Sequence, residues 1–315
     1  MTVSDYIFDF LLKKGCKQVF MVSGSSAMWL TDALYRNENL QAICCHHEQV
    51  VAMAADGYGR VNDVPGAALV TIGPGATNAI TGVAQAFLDS SPMFVISGQA
   101  NSKLLEYAKK TGIRQQGCQS INLEPMVTPI TKYFAEVMSA DEIPQIMEDA
   151  YYYAMEGRRG PVWIDVPVNI QNSQVSDSAI SNVVNKEFEK KSLDDRLLVD
   201  ITDRILKSKK PLIMAGYGVR SSGSVELMER LSVDYDIPVV TSRGGIDVIN
   251  SDSTLFIGRP GSYGDRASHF AIQEADMLLI LGSRLSISTV GYYPQRFGKN
   301  AFKVMVDIDD KELSK

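Results

Sequence analysis

The sequence predicts an α/β protein built from two doubly wound parallel-sheet domains. Three observations lead there. Its 315 residues are about twice the ~150-residue length expected of one domain. Apolar residues make up 45% and charged residues 22%, an ordinary globular usage that supports packed cores and excludes wholesale disorder. Apolar runs with almost no polar face also alternate with stretches of helical periodicity, the pattern of a parallel sheet covered on both faces.

The elements follow in order. Val3, Ile7, Phe8, Leu11 and Leu12 form one apolar helical stripe, closed by Gly15 just after the C-cap. A short buried strand is expected over 18–22, a helix over 27–35, a strand over 40–45 and a helix over 48–60. Next come a nearly all-apolar strand at 67–72, a helix over 76–88, a strand at 93–96, a helix over 141–155 and a strand at 162–166. Residues 1–170 are thus the expected first domain. From 171 to 191 the composition turns polar and loses periodicity, which reads as a linker. Residues 192–315 begin a second α/β pattern, with helices over 193–206 and 224–235 and strands at 211–215, 238–241, 277–281 and 302–306.

Composition narrows the function classes. The 31 basic and 37 acidic residues give a net charge of −6, which argues against a nucleic-acid partner. No apolar run approaches the roughly 18 to 20 residues of a membrane span. Thr2-Val3-Ser4-Asp5-Tyr6 lacks the basic start of a signal peptide, and Asp5 and Asp9 interrupt any apolar stretch. Cys16, Cys44, Cys45 and Cys118 show neither C-x-x-C spacing nor disulfide density, so a reducing, cytoplasmic location is expected. With only His46, His47 and His269, no metal ligands are expected on this chain, and His47-Glu48-Gln49-Val50-Val51 fails the H-E-x-x-H pattern.

Ligands of doubly wound sheets sit beyond the carboxyl ends of the strands. Three loops there are unusual: Ser23-Gly24-Ser25-Ser26, His46-His47-Glu48 and Gly73-Pro74-Gly75-Ala76-Thr77-Asn78. Glycines let backbone approach a ligand, and helix N-termini offer unpaired N–H groups; a Gly-Pro-Gly turn is equally a plain structural device. Glu48 has two readings. One is a first-turn carboxylate complementing the helix dipole. The other is a carboxyl group that holds or passes a proton, its pKa raised by burial.

Taken together, His47-Glu48-Gln49, Ala54-Ala55-Asp56-Gly57-Tyr58-Gly59-Arg60, Thr71-Ile72-Gly73-Pro74-Gly75-Ala76-Thr77-Asn78, Asp89-Ser90-Ser91-Pro92 and Ser97-Gly98-Gln99 resemble the N-terminal pyrimidine-binding domain of thiamine-diphosphate enzymes, most of all the acetolactate synthase large-subunit group. Gln119, Pro129-Ile130-Thr131-Lys132 and the run from Gly157-Arg158 to Val166-Pro167 continue the likeness. Pro211-Leu212-Ile213, Pro238-Val239-Val240-Thr241, Glu274-Ala275-Asp276 and Val306-Asp307-Ile308-Asp309 resemble that family's central domain.

The resemblance implies a decarboxylase or carboligase that acts on a 2-keto acid with thiamine diphosphate and Mg²⁺, as a homo-oligomer joined through the N-terminal domain. In the family the glutamate matching Glu48 hydrogen-bonds a ring nitrogen of the aminopyrimidine and promotes the tautomer that removes the thiazolium proton. Gly24, Ser25, Gly73, Pro74 and Asn78 match the cofactor loops. Gln99 and Gln119 match positions near the reacting centre, ordinary polar loop contacts being the other reading for both. Arg158 matches an arginine of synthases that bind FAD. Gly216-Tyr217-Gly218-Val219 resembles a nucleotide-contacting turn but lacks the third glycine of the dinucleotide fingerprint, leaving FAD and an empty central domain as alternatives.

Three features depart from the family. Its diphosphate and Mg²⁺ motif, Gly-Asp-Gly with a later Asn, is absent, since Gly264-Asp265-Arg266 lacks the last glycine. A dication held to phosphates needs hard oxygen ligands at fixed spacing, so the chain carries the pyrimidine half of a cofactor site and the Mg²⁺ ligands are expected elsewhere. The expectation is an N-terminal portion of a longer enzyme, the alternative being a split subunit that pairs with a separate diphosphate-binding chain. Ser25 replaces a second glycine on the first loop, and Gln119-Ser120 replaces Gln-Glu. The competing classes are a non-catalytic module binding a partner or FAD, and a nicotinamide dehydrogenase, for which the G-x-G-x-x-G with its downstream acid is lacking.

Overall fold

The computed structural model describes residues 1–189 and 192–315, which form two compact units, Met1–Glu189 and Lys190–Lys315. The first unit runs α1 (Val3–Lys13), β1 (Gln18–Met21), α2 (Met28–Arg36), β2 (Gln41–Cys44), α3 (Glu48–Asn62), β3 (Gly66–Val70), α4 (Pro74–Asn78), α5 (Ile80–Asp89), β4 (Met93–Gln99) and α6 (Ser102–Thr111). It continues through α7 (Glu124–Val127), β5 (Tyr133–Glu136), α8 (Ile143–Met155), β6 (Pro161–Pro167), α9 (Val168–Gln171) and α10 (Asp177–Ser181). Its six strands are ordered β2-β1-β3-β4-β6-β5, and every pairing is parallel.

Both faces of this sheet are covered. Phe94, Ile96, Val162, Ile164 and Val166 pack with Val3, Ile7, Phe8 and Leu11 of α1 and Met147 and Ala150 of α8. The alternate residues Met93, Val95 and Trp163 pack with Val51, Ala52 and Ala55 of α3 and Val83 and Ala86 of α5. Period-two alternation thus gives one strand two apolar faces, which is why these strands read as unbroken apolar runs. α1 begins at a capping box between Thr2 and Asp5, and Gly15 follows it at φ 90°, where a side chain would be strained.

Several elements differ from expectation. The helix expected over 76–88 is two helices, α4 and α5, meeting at Ala79. β4 extends to Gln99 because Ser97 and Gln99, polar and apt to end a buried strand, find partners on β6. α6 and β5 were not foreseen: α6 buries only Ser102 and Leu105, and β5 is a half-buried edge strand of four residues. The linker expected over 171–191 begins on the first unit. Gln171 and Val175 are buried there, Thr2 and Gln174 form an antiparallel bridge, and Gln145 brackets Val184 through N–H and C=O. The last two residues of that expected linker, Lys190 and Lys191, lie outside the described residues.

The second unit runs α11 (Asp195–Lys207), β7 (Pro211–Ala215), α12 (Tyr217–Ser221), α13 (Val225–Asp234), β8 (Val239–Thr241), β9 (Phe256–Gly258), α14 (Arg266–Glu274), β10 (Met277–Leu281), α15 (Ile287–Val290), β11 (Phe302–Val306) and α16 (Asp310–Leu313). Its sheet is ordered β11-β10-β7-β8-β9 and again all parallel. β9 and α14 escaped the sequence reading. β9 has three residues beside an irregular register, and α14 buries only Ser268 and Ile272.

Candidate functional site

In the first sheet the chain steps from β1 outward to β2, then returns to place β3 on the other side of β1. The carboxyl ends of β2, β1 and β3 therefore lie side by side at the point where the strand order reverses, the place where such folds bind ligands. Gly24 follows β1 and Gly73 follows β3. A Cβ on Gly24 would stand 2.4 Å from Thr71 Cβ, so the two loops touch only because Gly24 has no side chain. Ser25 is exposed in a 3₁₀ turn, Ser25–Ala27. That turn is held by Gln171 Nε2 donating to Ser26 O at 2.7 Å.

Gly73 has φ 58° and ψ −119°, a conformation that suits glycine almost alone. A Cβ there would lie 2.1 Å from Gln119 O, so the structure brings the Gln119 loop onto the Gly-Pro-Gly turn. Gln119 itself is exposed, at φ 58°. Pro74 opens α4, where its missing N–H costs nothing.

Glu48 is the first residue of α3, and the His47 ring caps that helix through Nδ1, which accepts from Gln49 N at 3.1 Å. Asn78, the last residue of α4, donates from Nδ2 to Glu48 Oε2 at 3.0 Å. The other oxygen, Oε1, has no hydrogen-bond partner among the described residues. A Cβ on Gly75 would lie 3.2 Å from it and 2.7 Å from Thr71 Cγ2. Thr71 Oγ1 is buried without a partner. Glu48 is half-buried, less enclosed than the sequence reading foresaw. It is both a first-turn carboxylate and an oriented group whose free oxygen faces a glycine. The second β-strand leading to it is a sheet edge with three exposed residues of four.

Gln99 lies deeper. It is 1% exposed. Its Nε2 donates to Asp165 Oδ2 at 2.8 Å and to Ile121 O at 3.2 Å, and its Oε1 accepts from Ala100 N at 3.0 Å. Ser97 Oγ donates to Asp165 Oδ1 at 2.5 Å and accepts from Trp163 Nε1 at 2.8 Å. Burial pushes the Asp165 carboxyl up to about 7, with the Ser97 and Gln99 hydrogen bonds pulling the other way. Sequence reasoning passed over Asp165. The available signal was the i, i+2 spacing of Ser97 with Gln99 and of Trp163 with Asp165, which sets four polar groups on one face of two buried strands.

Arg158 is not part of this cluster. It precedes β6, at the amino end of the sheet, and its Nε donates to Ser90 Oγ at 2.8 Å. In the second unit, Cβ atoms on Gly216 and Gly218 would meet Gly282 O at 2.3 Å and Gly282 Cα at 2.5 Å. Close packing of two turns therefore accounts for both glycines without a nucleotide. Thr241 Oγ1 and Arg259 Nε are buried without partners at the carboxyl end of that sheet. No group of three or more His, Cys, Asp or Glu among the described residues could hold a metal ion.

Residues 1–123 match the thiamine pyrophosphate enzyme N-terminal TPP binding domain, and residues 198–315 match the central domain of the same enzymes. The chain belongs to the thiamine pyrophosphate enzyme family. It is similar to the acetolactate synthase large subunit of Lactococcus lactis subsp. lactis, with 34% identity over 99% of this chain and 53% of that protein. A probable acetolactate synthase large subunit of Methanocaldococcus jannaschii is 33% identical over 100% of this chain and 52% of its own length. The isozyme 2 large subunit of Escherichia coli K12 is 30% identical over 100% and 55%. The chain thus spans about half the length of the curated relatives it matches, corresponding to their N-terminal and central parts.

Proposed function

We propose that this chain is the pyrimidine-binding and central portion of a thiamine-diphosphate-dependent decarboxylase or carboligase, of acetolactate synthase type, that acts on a 2-keto acid. The observation that carries this reading is the Glu48 carboxyl group: fixed through Oε2 by Asn78 and open through Oε1 beside Gly75. Glu48 would bond a ring nitrogen of the cofactor and share one proton with it, the work of a positioned general acid–base group. Gly75 keeps a side chain away from that atom, Gly24 and Gly73 let the neighbouring loops close against Thr71 and Gln119, Thr71 Oγ1 supplies a second polar contact, and Ser25 and Pro74 are assigned to the cofactor from exposed loop positions. Thiamine diphosphate, when bound, supplies the electron sink for loss of CO₂. Gln119, exposed beside the Gly73 turn, is assigned to the substrate. Gln99 is assigned to holding the loop, since its amide is already engaged.

The diphosphate and its Mg²⁺ are assigned to groups beyond these residues. A second copy of the chain is the assigned partner at the β2 edge: Met28, Trp29 and Val50, just after the Gly24 and Glu48 loops, are exposed apolar side chains of the kind that interfaces cover. FAD, if held, would meet Thr241 and Arg259, and no step of the proposed chemistry uses it; Arg158 is left to its Ser90 contact. The described residues include no helix long and apolar enough to cross a membrane; the cytoplasmic assignment rests on the four cysteines, all free.

The test is turnover of pyruvate by the complete enzyme with thiamine diphosphate and Mg²⁺. Glu48→Gln should lower CO₂ release by about 10²- to 10⁴-fold. Turnover equal to that of the unsubstituted enzyme would refute the assignment.

A further inference from the structure

The polar group buried between β4 and β6 has fixed hydrogen-bond directions. The Trp163 indole N–H can only donate, so Ser97 Oγ accepts it, and the Ser97 hydrogen goes to Asp165 Oδ1. The Gln99 amide is equally determined. Both contacts of Nε2, Asp165 Oδ2 and Ile121 O, are acceptors, and the contact of Oε1, Ala100 N, is a donor. A flipped amide would meet like with like at all three.

Contacts lead from this group to the candidate site. Gln99 grips the loop 117–123 at Ile121. Ser120 Oγ bonds both N and O of Gly117, closing the same loop on itself. Two residues before Ile121, the Gln119 carbonyl fills the place where a Gly73 side chain would stand. Gly73 starts α4, and α4 ends at Asn78, which holds Glu48.

We propose that Asp165 is a positioning residue for Glu48: through the Gln99 amide it anchors the loop 117–123, which backs the turn from which α4 carries Asn78 to the carboxyl group. Its functional meaning rests on the role given to Glu48 above, but the anchoring does not. Without an acceptor at Asp165 the Gln99 amide is free to swing, and the loop loses its one side-chain tether to the sheet among the described hydrogen bonds. Asparagine at this position keeps the tether. Its carbonyl still accepts from Gln99, and its N–H can donate to Ser97 Oγ, which has a second lone pair.

Hydrogen exchange of the 315-residue chain, read by mass spectrometry without any cofactor, tests the proposal. Asp165→Leu should speed exchange in 117–123 and in 73–79 roughly tenfold, the effect of losing one buried hydrogen bond, while β1 and β3 stay protected. Asp165→Asn should restore protection at both segments. Unchanged exchange in Asp165→Leu overturns the proposal. So does loosening of 117–123 alone, which would make the contact structural and no more, or failure of Asn to restore protection. Should Asp165→Leu not fold, Gln99→Met cuts the same tether from its other end, and unchanged exchange there is equally fatal. None of these readouts involves thiamine diphosphate, so a negative result removes Asp165 and leaves Glu48 to its own test.

Discussion

Gly73 carries two demands at one residue: a backbone conformation near φ 58°, ψ −119°, and a missing side chain where Gln119 O stands. Gly73→Ala should therefore cost at least the ~1–3 kcal/mol of a strained backbone, measured as a lowered urea midpoint, and an unchanged midpoint would contradict the packing described. Asp165 makes a pH prediction. Its carboxyl is raised from the ordinary 3.8 to about 7, chiefly by burial. Facing it are Ser97 and Gln99 from β4 and Trp163 beside it on β6, with Glu136 on β5 raising its pKa further and Lys109, paired with that glutamate, lowering it. Between about pH 4 and 7 the folded chain holds a proton that the unfolded chain has released, so stability falls as pH rises through that window, by up to about 1.4 kcal/mol per unit. Asp165→Asn should flatten that slope in urea titrations at successive pH values; a slope that persists would assign the proton elsewhere. At this scale Gly24, Glu48 and Gly73 are legible as loop residues because each falls within four residues of a strand's carboxyl end. Asp165 stayed hidden, because a lone acid in an apolar strand declares neither its depth nor its partners until the neighbouring strand is in register.

Elements were legible where apolar residues recur at a regular spacing, whether or not the fold buries them: α11 buries no residue and β2 and β11 are mostly exposed, yet their pattern reads in the sequence. β3, β4 and β6 are buried along their whole length, and each was foreseen from its apolar run. β5 and β9, half-buried at sheet edges, and α6 and α14, each with two buried residues, carry too short an apolar stripe to stand out. The break between α4 and α5 was invisible because Ala76, Ala79 and Val83 continue one buried stripe across it. β4 is the element on which the others converge, pairing with β3 and β6. Phe94, the fully buried second residue of β4, meets the Phe10 ring of α1 at 6.5 Å. Phe94→Ala should destabilise the first unit by about 3–5 kcal/mol, seen as an early transition in thermal or urea unfolding, and a loss below about 1 kcal/mol would mean that the site can collapse around the smaller side chain.

For the molecule as a whole, the two sheets were foreseen from their alternating pattern, while the junction was not. Polar composition at 171–191 reads as a linker, yet Gln171, Val175 and Val184 belong to the first unit and bond or pack within it, because a polar segment can satisfy its backbone on a neighbouring surface as well as in water. The loops after β1, β2 and β3 converge because of the strand order, which puts the return of the chain between β1 and β3. That convergence positions the Glu48 carboxyl group, and because the chain spans about half the length of its acetolactate synthase relatives, the role proposed for it is tested in the complete enzyme. The most direct measurement is exchange of the thiazolium C2 proton of thiamine diphosphate bound to that enzyme, followed by NMR in deuterium oxide. The account predicts fast exchange in the unsubstituted enzyme and exchange close to that of the free cofactor in Glu48→Gln, with the fold unchanged. Equal, fast exchange in both would contradict it.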